Sequence, residues 1–190
     1  MKTKSPPDRH VFKTSWDEIS YVYDKVLYWL YERESKARAR PFAARLTRLL
    51  SEADPRQESI LGQECRSLIC ESNNDLPGAI KHRKNEIRLI RRLREISIGT
   101  PTEEYVLNGY GYDDLSDRLD LLAVLYHDNG DLDKAIATLH ESKQLCHEHG
   151  IDFDGADLLR DYLEVRRNTD TTFSKNGTTA TKNRVKAMLK

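Results

Sequence analysis

The feature of this sequence that most limits its fold is a helical spacing of apolar residues that returns along most of the chain. In the stretch "WDEISYVYDKVLYWLYER", apolar side chains recur at intervals of three and four, at Ile19, Tyr23, Val26, Leu27 and Leu30. This is the period of one face of a helix. No segment alternates apolar and polar residues for long enough to predict a strand. The sequence therefore predicts an all-α protein, a stack of antiparallel helical hairpins with about seven main helices.

Local start and stop signals divide the pattern into separate helices. Ser15 and Glu18 form a capping box for the first helix, since the hydroxyl and the carboxylate satisfy backbone donors at a helix start. Pro41 fits the first turn of the second helix, Asp75 is the expected cap of the fourth, and Gly150 marks the end of a long later helix. We therefore expect further helices over 40–55, 56–73, 75–96, 115–127, 131–149 and about 154–166.

A stretch rich in glycine and tyrosine, "SIGTPTEEYVLNGYGYDD", separates the fourth helix from the helices that follow. Thr100 and Glu103 match the cap and the glutamate of a capping box, and Gly109 limits the helix between them to two turns at most. We interpret the whole stretch as a surface loop, and its tyrosines as packing or contact groups.

The two ends of the chain do not share the helical pattern. Residues 1–13 and 169–190 are rich in Lys, Thr, Ser, Pro and Asn and poor in apolar groups. Such segments bury too little apolar surface to offset the entropy of ordering. The sequence thus predicts a mobile N-terminal tail, one helical domain over 14–168, and a mobile basic C-terminal tail.

Charge is distributed unevenly, although the net charge is zero. Residues 1–99 contain 20 basic and 14 acidic side chains, residues 100–166 contain 5 and 16, and residues 167–190 contain 6 and 1. This pattern predicts a basic half, an acidic half and a basic tail.

One hairpin, "LLAVLYHDNGDLDKAIATLHES", has a spacing that can be compared with known helical repeats. Small and large apolar side chains and a turn glycine follow one another at Leu119, Leu122, Ala123, Tyr126, Gly130, Ala135 and Leu139. These positions resemble the tetratricopeptide repeat (TPR). The spacing suits two crossing helices, because small residues allow close approach. We therefore expect Ala135 to be buried where the two helices cross.

A second, fainter copy of the hairpin lies 56 residues upstream, where "SLICESNNDLPGAI" aligns with "AVLYHDNGDLDKAI". Ser67 takes the place of Ala123 and Ala79 that of Ala135, while Gln63 stands at a position that is apolar in the repeat. The resemblance covers about 35 residues closely and about 110 loosely. The alternative is a generic helical bundle that matches one repeat by chance.

The resemblance implies a protein-protein interaction module, a scaffold or adaptor, because the first helices of TPR hairpins line a concave groove for an extended peptide or a partner helix. The side chains at those positions here are mostly acidic: Glu64, Glu71, Asp117, Asp120, His127 and Asp128. They do not match the basic clamp that some members of the family use for a terminal carboxylate. The predicted ligand is therefore basic, either a segment of a partner protein or the chain's own tail.

Two other functions compete with this interpretation. The stretch "KHRKNEIRLIRRLRE" could neutralise several phosphates of a nucleic acid through Lys81, Arg83, Lys84, Arg88, Arg91, Arg92 and Arg94. No aromatic residue is interleaved for base stacking, and the acidic half of the chain repels a polyanion, so nucleic-acid binding is the less favoured prediction. The third possibility is a regulatory helical bundle that acts by self-association.

Signals for catalysis, cofactors and metals are weak. His147 and His149 project about 200° apart on a helix and cannot share an ion, and none of the three cysteines belongs to a CxxC pair. We found no nucleophile motif and no glycine-rich phosphate loop after a strand. The sequence predicts a cytoplasmic protein with no enzyme activity, no catalytic residues, no cofactor, no metal site and no membrane span.

Overall fold

The structure, a computed structural model, describes residues 15–169, which divide into two compact units, one up to Leu89 and one from Ile90 onward. Within this range the chain forms helices and turns without a strand. The helices are α1 (Ser15–Leu27), continued by a π-helical turn (Tyr28–Glu32), α2 (Lys36–Ala53), α3 (Ile60–Ser72), α4 (Leu76–Ser97), α5 (Glu103–Gly109), α6 (Tyr112–Asp128), α7 (Leu132–His149) and α8 (156–169). The all-α prediction is confirmed. The predicted tails lie outside the described residues, except for Thr169, the last residue of α8.

Several helix ends form as the local sequence predicts. The carboxylate of Asp75 accepts a hydrogen bond from the backbone N–H of Gly78 at 3.0 Å, at the start of α4. Gly150 ends α7 in the left-handed conformation, with φ of 65°, which glycine adopts without steric penalty. Caps of this kind depend on neighbours in the sequence only, so they are predictable without the fold.

Several helix starts differ from the prediction. Helix α3 begins at Ile60 and not at residue 56, because the Ser59 hydroxyl caps it by accepting a hydrogen bond from the N–H of Gly62 at 2.9 Å. Helix α2 begins at Lys36, so Pro41 lies inside the helix and not in its first turn. The strong helix formers of "KARAR" extend the helix towards the N-terminus. The N-cap position of α5 is Thr102 and not Thr100, since the Thr100 hydroxyl donates a hydrogen bond to the carbonyl of Ser97 at 2.6 Å. Helix α6 also starts three residues earlier than predicted, at Tyr112.

The core of the first unit is formed by α1, α2 and α3. Ile19, Val22 and Val26 of α1 are fully buried against α2, where Ala39 and Ala43 are also fully buried. Two alanines one turn apart allow the helices to approach closely. Helix α4 joins α3 through a hydrogen bond from the Ser67 hydroxyl to the carbonyl of Ala79, at 3.0 Å.

The core of the second unit contains the hairpin of α6 and α7 and one face of α8. Ala123 of α6 and Ala135 and Leu139 of α7 are all fully buried, so the predicted burial of Ala135 is confirmed. Leu159 and Tyr162 of α8 pack in the same cluster. Helix α8 therefore covers part of the hairpin and brings the preceding loop against α6.

Candidate acidic binding site

The second unit carries a large excess of acidic side chains, which makes it the candidate for electrostatic recognition. Residues 90–169 contain 17 acidic and 9 basic residues. A surface with such an imbalance attracts cations and raises the rate at which basic ligands are captured.

Three of these carboxylates lie where the start of α8 meets α6. Asp117 and Asp120 are three residues apart on α6, and Asp154 precedes α8. The loop passes so close that a methyl group added to Gly155 would lie 2.7 Å from Oδ2 of Asp120. We call Asp117, Asp120 and Asp154 the carboxylate cluster.

Asp120 is poorly compensated within this cluster. The Ser142 hydroxyl donates a hydrogen bond to its carboxylate, but the Oδ1 atom is buried and has no hydrogen-bond partner. Burial, together with the negative charges of Asp117 and Asp154, raises the pKa of Asp120 to about 6, against the lowering effect of the Ser142 hydroxyl. Partial burial and Asp154 also raise the pKa of Asp117, with Arg118 opposing them. A carboxylate held in this way is a candidate for ligand contact.

The raised pKa predicts a stability change on replacing Asp120 with Asn. The folded state holds a proton on Asp120 up to about pH 6, whereas an unfolded aspartate releases it near pH 4. Stability from this group is therefore present below pH 4 and lost as the pH rises to about 6. We expect Asp120→Asn to stabilise the protein at pH 7 by about 1–2 kcal/mol, a value reduced for the partial exposure of the side chain.

Thermal unfolding of wild type and Asp120→Asn at pH 4 and pH 7 checks this prediction. The gain in melting temperature should be present at pH 7 and absent at pH 4. The exposed carboxylate of Asp152 provides the control, since Asp152→Asn should change neither value appreciably. A destabilised Asp120→Asn at pH 7 would contradict the raised pKa of Asp120.

The other predicted residues of α6 lie near the end of this helix. The ring of His127 stacks on Tyr162 of α8 with centroids 4.4 Å apart, and its Nδ1 is 3.5 Å from the exposed Asp128 carboxylate. Burial, followed by the charge of Asp128, raises the pKa of Tyr162 to about 12. The His127 ring is therefore partly covered by α8, whereas the Asp128 carboxylate remains exposed.

Glu64 and Glu71, the remaining predicted groove residues, belong to the first unit. The Tyr23 hydroxyl donates a hydrogen bond to Glu64 at 2.7 Å, and the Tyr31 hydroxyl donates one to Glu71 at 2.8 Å. Burial, with Glu64 beside it, raises the pKa of Tyr23. The structure thus pairs these two glutamates with tyrosines and does not place them in the carboxylate cluster.

Asp154 is the member of the cluster that sequence reasoning missed. It lies in "DFDGAD", a loop before the last helix, and its spacing gives no sign that it approaches α6. The only available signal was the density of aspartates in this loop.

The predicted basic site on α4 requires a correction. Arg83 and Arg94 are only 1% and 9% exposed. Arg83 donates to Glu86 at 2.7 Å, and Arg94 donates to the carbonyl of Tyr110 at 2.9 Å, so neither can reach a phosphate. The predicted residues that remain on the surface are Lys81, Lys84, Arg88, Arg91 and Arg92.

One cavity of the first unit brings a thiol and an imidazole together. Cys70 and His82 line one cavity of about 410 Å³ in the first unit. Burial, with Asp75 nearby, raises the pKa of the Cys70 thiol to about 11, and burial lowers the pKa of His82. The thiol therefore stays protonated at neutral pH and is a weak nucleophile. Within residues 15–169 no group of three or more His, Cys, Asp or Glu side chains is arranged to hold a metal ion.

Comparisons with known proteins do not assign this chain to a family. No family model, no curated protein and no solved structure matches this chain. Among the described helices, none combines the length and the apolar character needed to cross a membrane.

Proposed function

We propose that this chain is a protein-binding helical module whose second unit binds a basic segment of a partner protein at the carboxylate cluster. The observation that carries the proposal is Asp120, which has a buried oxygen without a hydrogen-bond partner and two further aspartates beside it. A lysine or arginine of a ligand that contacts the exposed carboxylates of Asp117 and Asp154 would supply the missing positive charge beside Asp120.

The raised pKa of Asp120 also affects the free energy of binding. Binding of a cation beside Asp120 lowers its pKa towards that of an ordinary aspartate, and this shift adds to the affinity at neutral pH. Exposed Asp117 and Asp154 extend the negative surface, so a ligand with more than one basic residue is favoured over a single cation.

We further propose a TPR-like arrangement for the hairpin and the helix that follows it. The small residues Ala123 and Ala135 are buried together between α6 and α7, which supports close crossing of the two helices. Leu159 and Tyr162 of α8 join the same cluster, as the first helix of a following repeat would. In that arrangement α6 and α8 would be neighbouring groove helices.

Neutralising the carboxylate cluster tests the proposed function. The triple variant Asp117→Asn, Asp120→Asn, Asp154→Asn keeps side-chain size and removes the negative charges. We expect its affinity for a short fluorescent peptide of lysines to fall by about 1–3 kcal/mol at low salt, and by less at high salt. Fluorescence anisotropy at several salt concentrations measures this change.

A matched control separates the cluster from general charge. Glu104, Asp152 and Glu164 are exposed carboxylates of the same unit, and their replacement by Gln and Asn removes the same charge elsewhere. The control variant should retain most of the affinity for the peptide. Equal losses in both triple variants would show that the cluster is not a site.

A second candidate function rests on the exposed part of α4. Lys81, Lys84 and Arg88 share one face of the helix, are exposed, and form no ion pair with the described part of the chain. Binding of a single-stranded RNA oligonucleotide that falls steeply with salt, and is lost in the variant with all three changed to Ser, would favour this function.

A further inference from the structure

The segment around α5 exposes an unusual amount of apolar surface. Four large side chains lie within twelve positions of one another: Ile96 is 65% exposed, Ile98 71%, Tyr105 79% and Leu107 42%. The described residues have only eight large apolar side chains exposed to this degree. A local concentration of this kind marks an interaction surface more often than chance exposure does.

This apolar surface borders a cavity of about 260 Å³ within the second unit. Ile98 and Leu107 form its outer wall, and Leu115 of α6 and Leu145 of α7 lie deeper. We call this cavity, with the exposed side chains beside it, the α5 groove. Its lining suits apolar side chains of a ligand.

Apart from the paired Arg91 and the buried Arg94, the charged side chains at the rim of the α5 groove are acidic. Arg91 is paired with Glu141, and Arg94 is buried with its guanidinium 3.4 Å above the Tyr112 ring. Glu95 is exposed and Glu103 adds a second carboxylate at the rim. The groove therefore fits a segment that combines apolar and basic side chains.

The sequence "RVKAMLK" at residues 184–190, which lies outside the described residues, has this combination. Val185, Met188 and Leu189 are spaced at three and four positions, and the other residues include three basic ones. The rest of the chain after Thr169 has no comparable apolar pattern.

We propose that residues 184–190 of this chain bind in the α5 groove. Val185, Met188 and Leu189 contact the apolar lining, and the basic side chains lie near Glu95 and Glu103. The interaction is separate from the carboxylate cluster, so it stands or falls independently of the proposed function.

The tether makes the interaction feasible even with a small contact area. Residue 184 follows Thr169 by 15 positions, and such a length of extended chain spans about 50 Å. A compact unit of about 80 residues has a radius of gyration of about 12 Å, so the segment can reach the groove. A covalent link of this length provides an effective concentration in the millimolar range, which fills a site of modest affinity.

A second copy of the chain is a weaker candidate for the same surface. In a two-fold symmetric contact the α5 groove would face itself. Glu95, Glu103 and Glu104 would then lie close to their own copies, and like charges oppose such a contact.

Hydrogen exchange of the full chain tests the proposal. In the variant Met188→Glu, Leu189→Glu, amides of residues 98–107 should exchange about tenfold faster than in the wild type, as expected on releasing a tethered segment of modest affinity. The control Thr178→Glu, Thr179→Glu adds the same charge to the same region and should leave these amides unchanged. Equal exchange in the wild type and the Met188, Leu189 variant would overturn the proposal.

Addition of a fluorescent peptide of residues 183–190 gives an independent result. The peptide should bind the Met188→Glu, Leu189→Glu protein, whose groove is vacant, and should not bind when Ile98→Glu is added. Ile98 is 71% exposed, so this change should not disturb the fold. Wild-type protection that grows with protein concentration, together with a doubled mass, would instead assign the groove to a second copy and overturn the proposal.

Discussion

Replacing Glu86 with leucine is expected to lower the free energy of unfolding by about 3–5 kcal/mol, because a buried arginine then loses its carboxylate. Arg83 is 1% exposed and Glu86 is fully buried, and the two are joined by a contact of 2.7 Å from Nη1 to Oε2. The Nε atom of Arg83 is buried without a hydrogen-bond partner even in the wild type. Loss of Glu86 would therefore leave the buried guanidinium of Arg83 without the carboxylate that contacts its Nη1 atom.

A double-mutant cycle separates this effect from lost packing. The variant Arg83→Met, Glu86→Leu removes both charges and keeps similar volume, so we expect it to be more stable than Glu86→Leu alone. Urea unfolding followed by circular dichroism measures the four proteins of the cycle. If Glu86→Leu changes stability by less than about 1 kcal/mol, the pair is not buried as the structure describes.

Replacing Ala135 with arginine is expected to destabilise the second unit by several kcal/mol, through overpacking and a buried charge together. Ala135 is fully buried and packs with Ala123 and Leu139 at the centre of the hairpin. The close approach of α6 and α7 leaves no room for a longer side chain, and a guanidinium there has no route to water.

Ala137 provides the matched control for this prediction, since it lies on the same helix with its side chain exposed. Ala137→Arg should change the melting temperature only slightly, because surface substitutions on a helix are usually within about 0.5 kcal/mol. Thermal unfolding of both variants distinguishes a buried crossing from a general effect of charge. An unchanged melting temperature in Ala135→Arg would mean that the hairpin does not pack at this residue.

In the proposed function, the carboxylate cluster connects stability with recognition. Asp120 is expected to destabilise the free protein at neutral pH, and a basic ligand is expected to relieve that effect. Sites that bind ligands often retain groups that lower stability, because the interaction completing them comes from the ligand. The Asp120→Asn variant tests the effect on stability, and the triple variant tests the effect on peptide affinity.

Local chemistry was sufficient to predict the helices and part of their burial. The cap at Asp75 and the stop at Gly150 depend on backbone groups within a few residues, so the sequence alone determines them. The spacing of Ala123 and Ala135 likewise predicted which sides of α6 and α7 are buried, because helical periodicity assigns apolar residues to one face.

Tertiary structure alone decided which charged residues are buried and which side chains they contact. The sequence predicted Arg83 as part of an accessible basic site, and only the packing of α4 shows that Arg83 and Glu86 are buried. Asp154 is 34 positions from Asp120 in the sequence, and the packing of Leu159 and Tyr162 brings its loop against α6. A side chain's charge is a property of the sequence, but its solvation and its neighbours depend on contacts between distant segments. The sequence therefore determined the helices of this protein, and the tertiary structure determined which carboxylates form the candidate site.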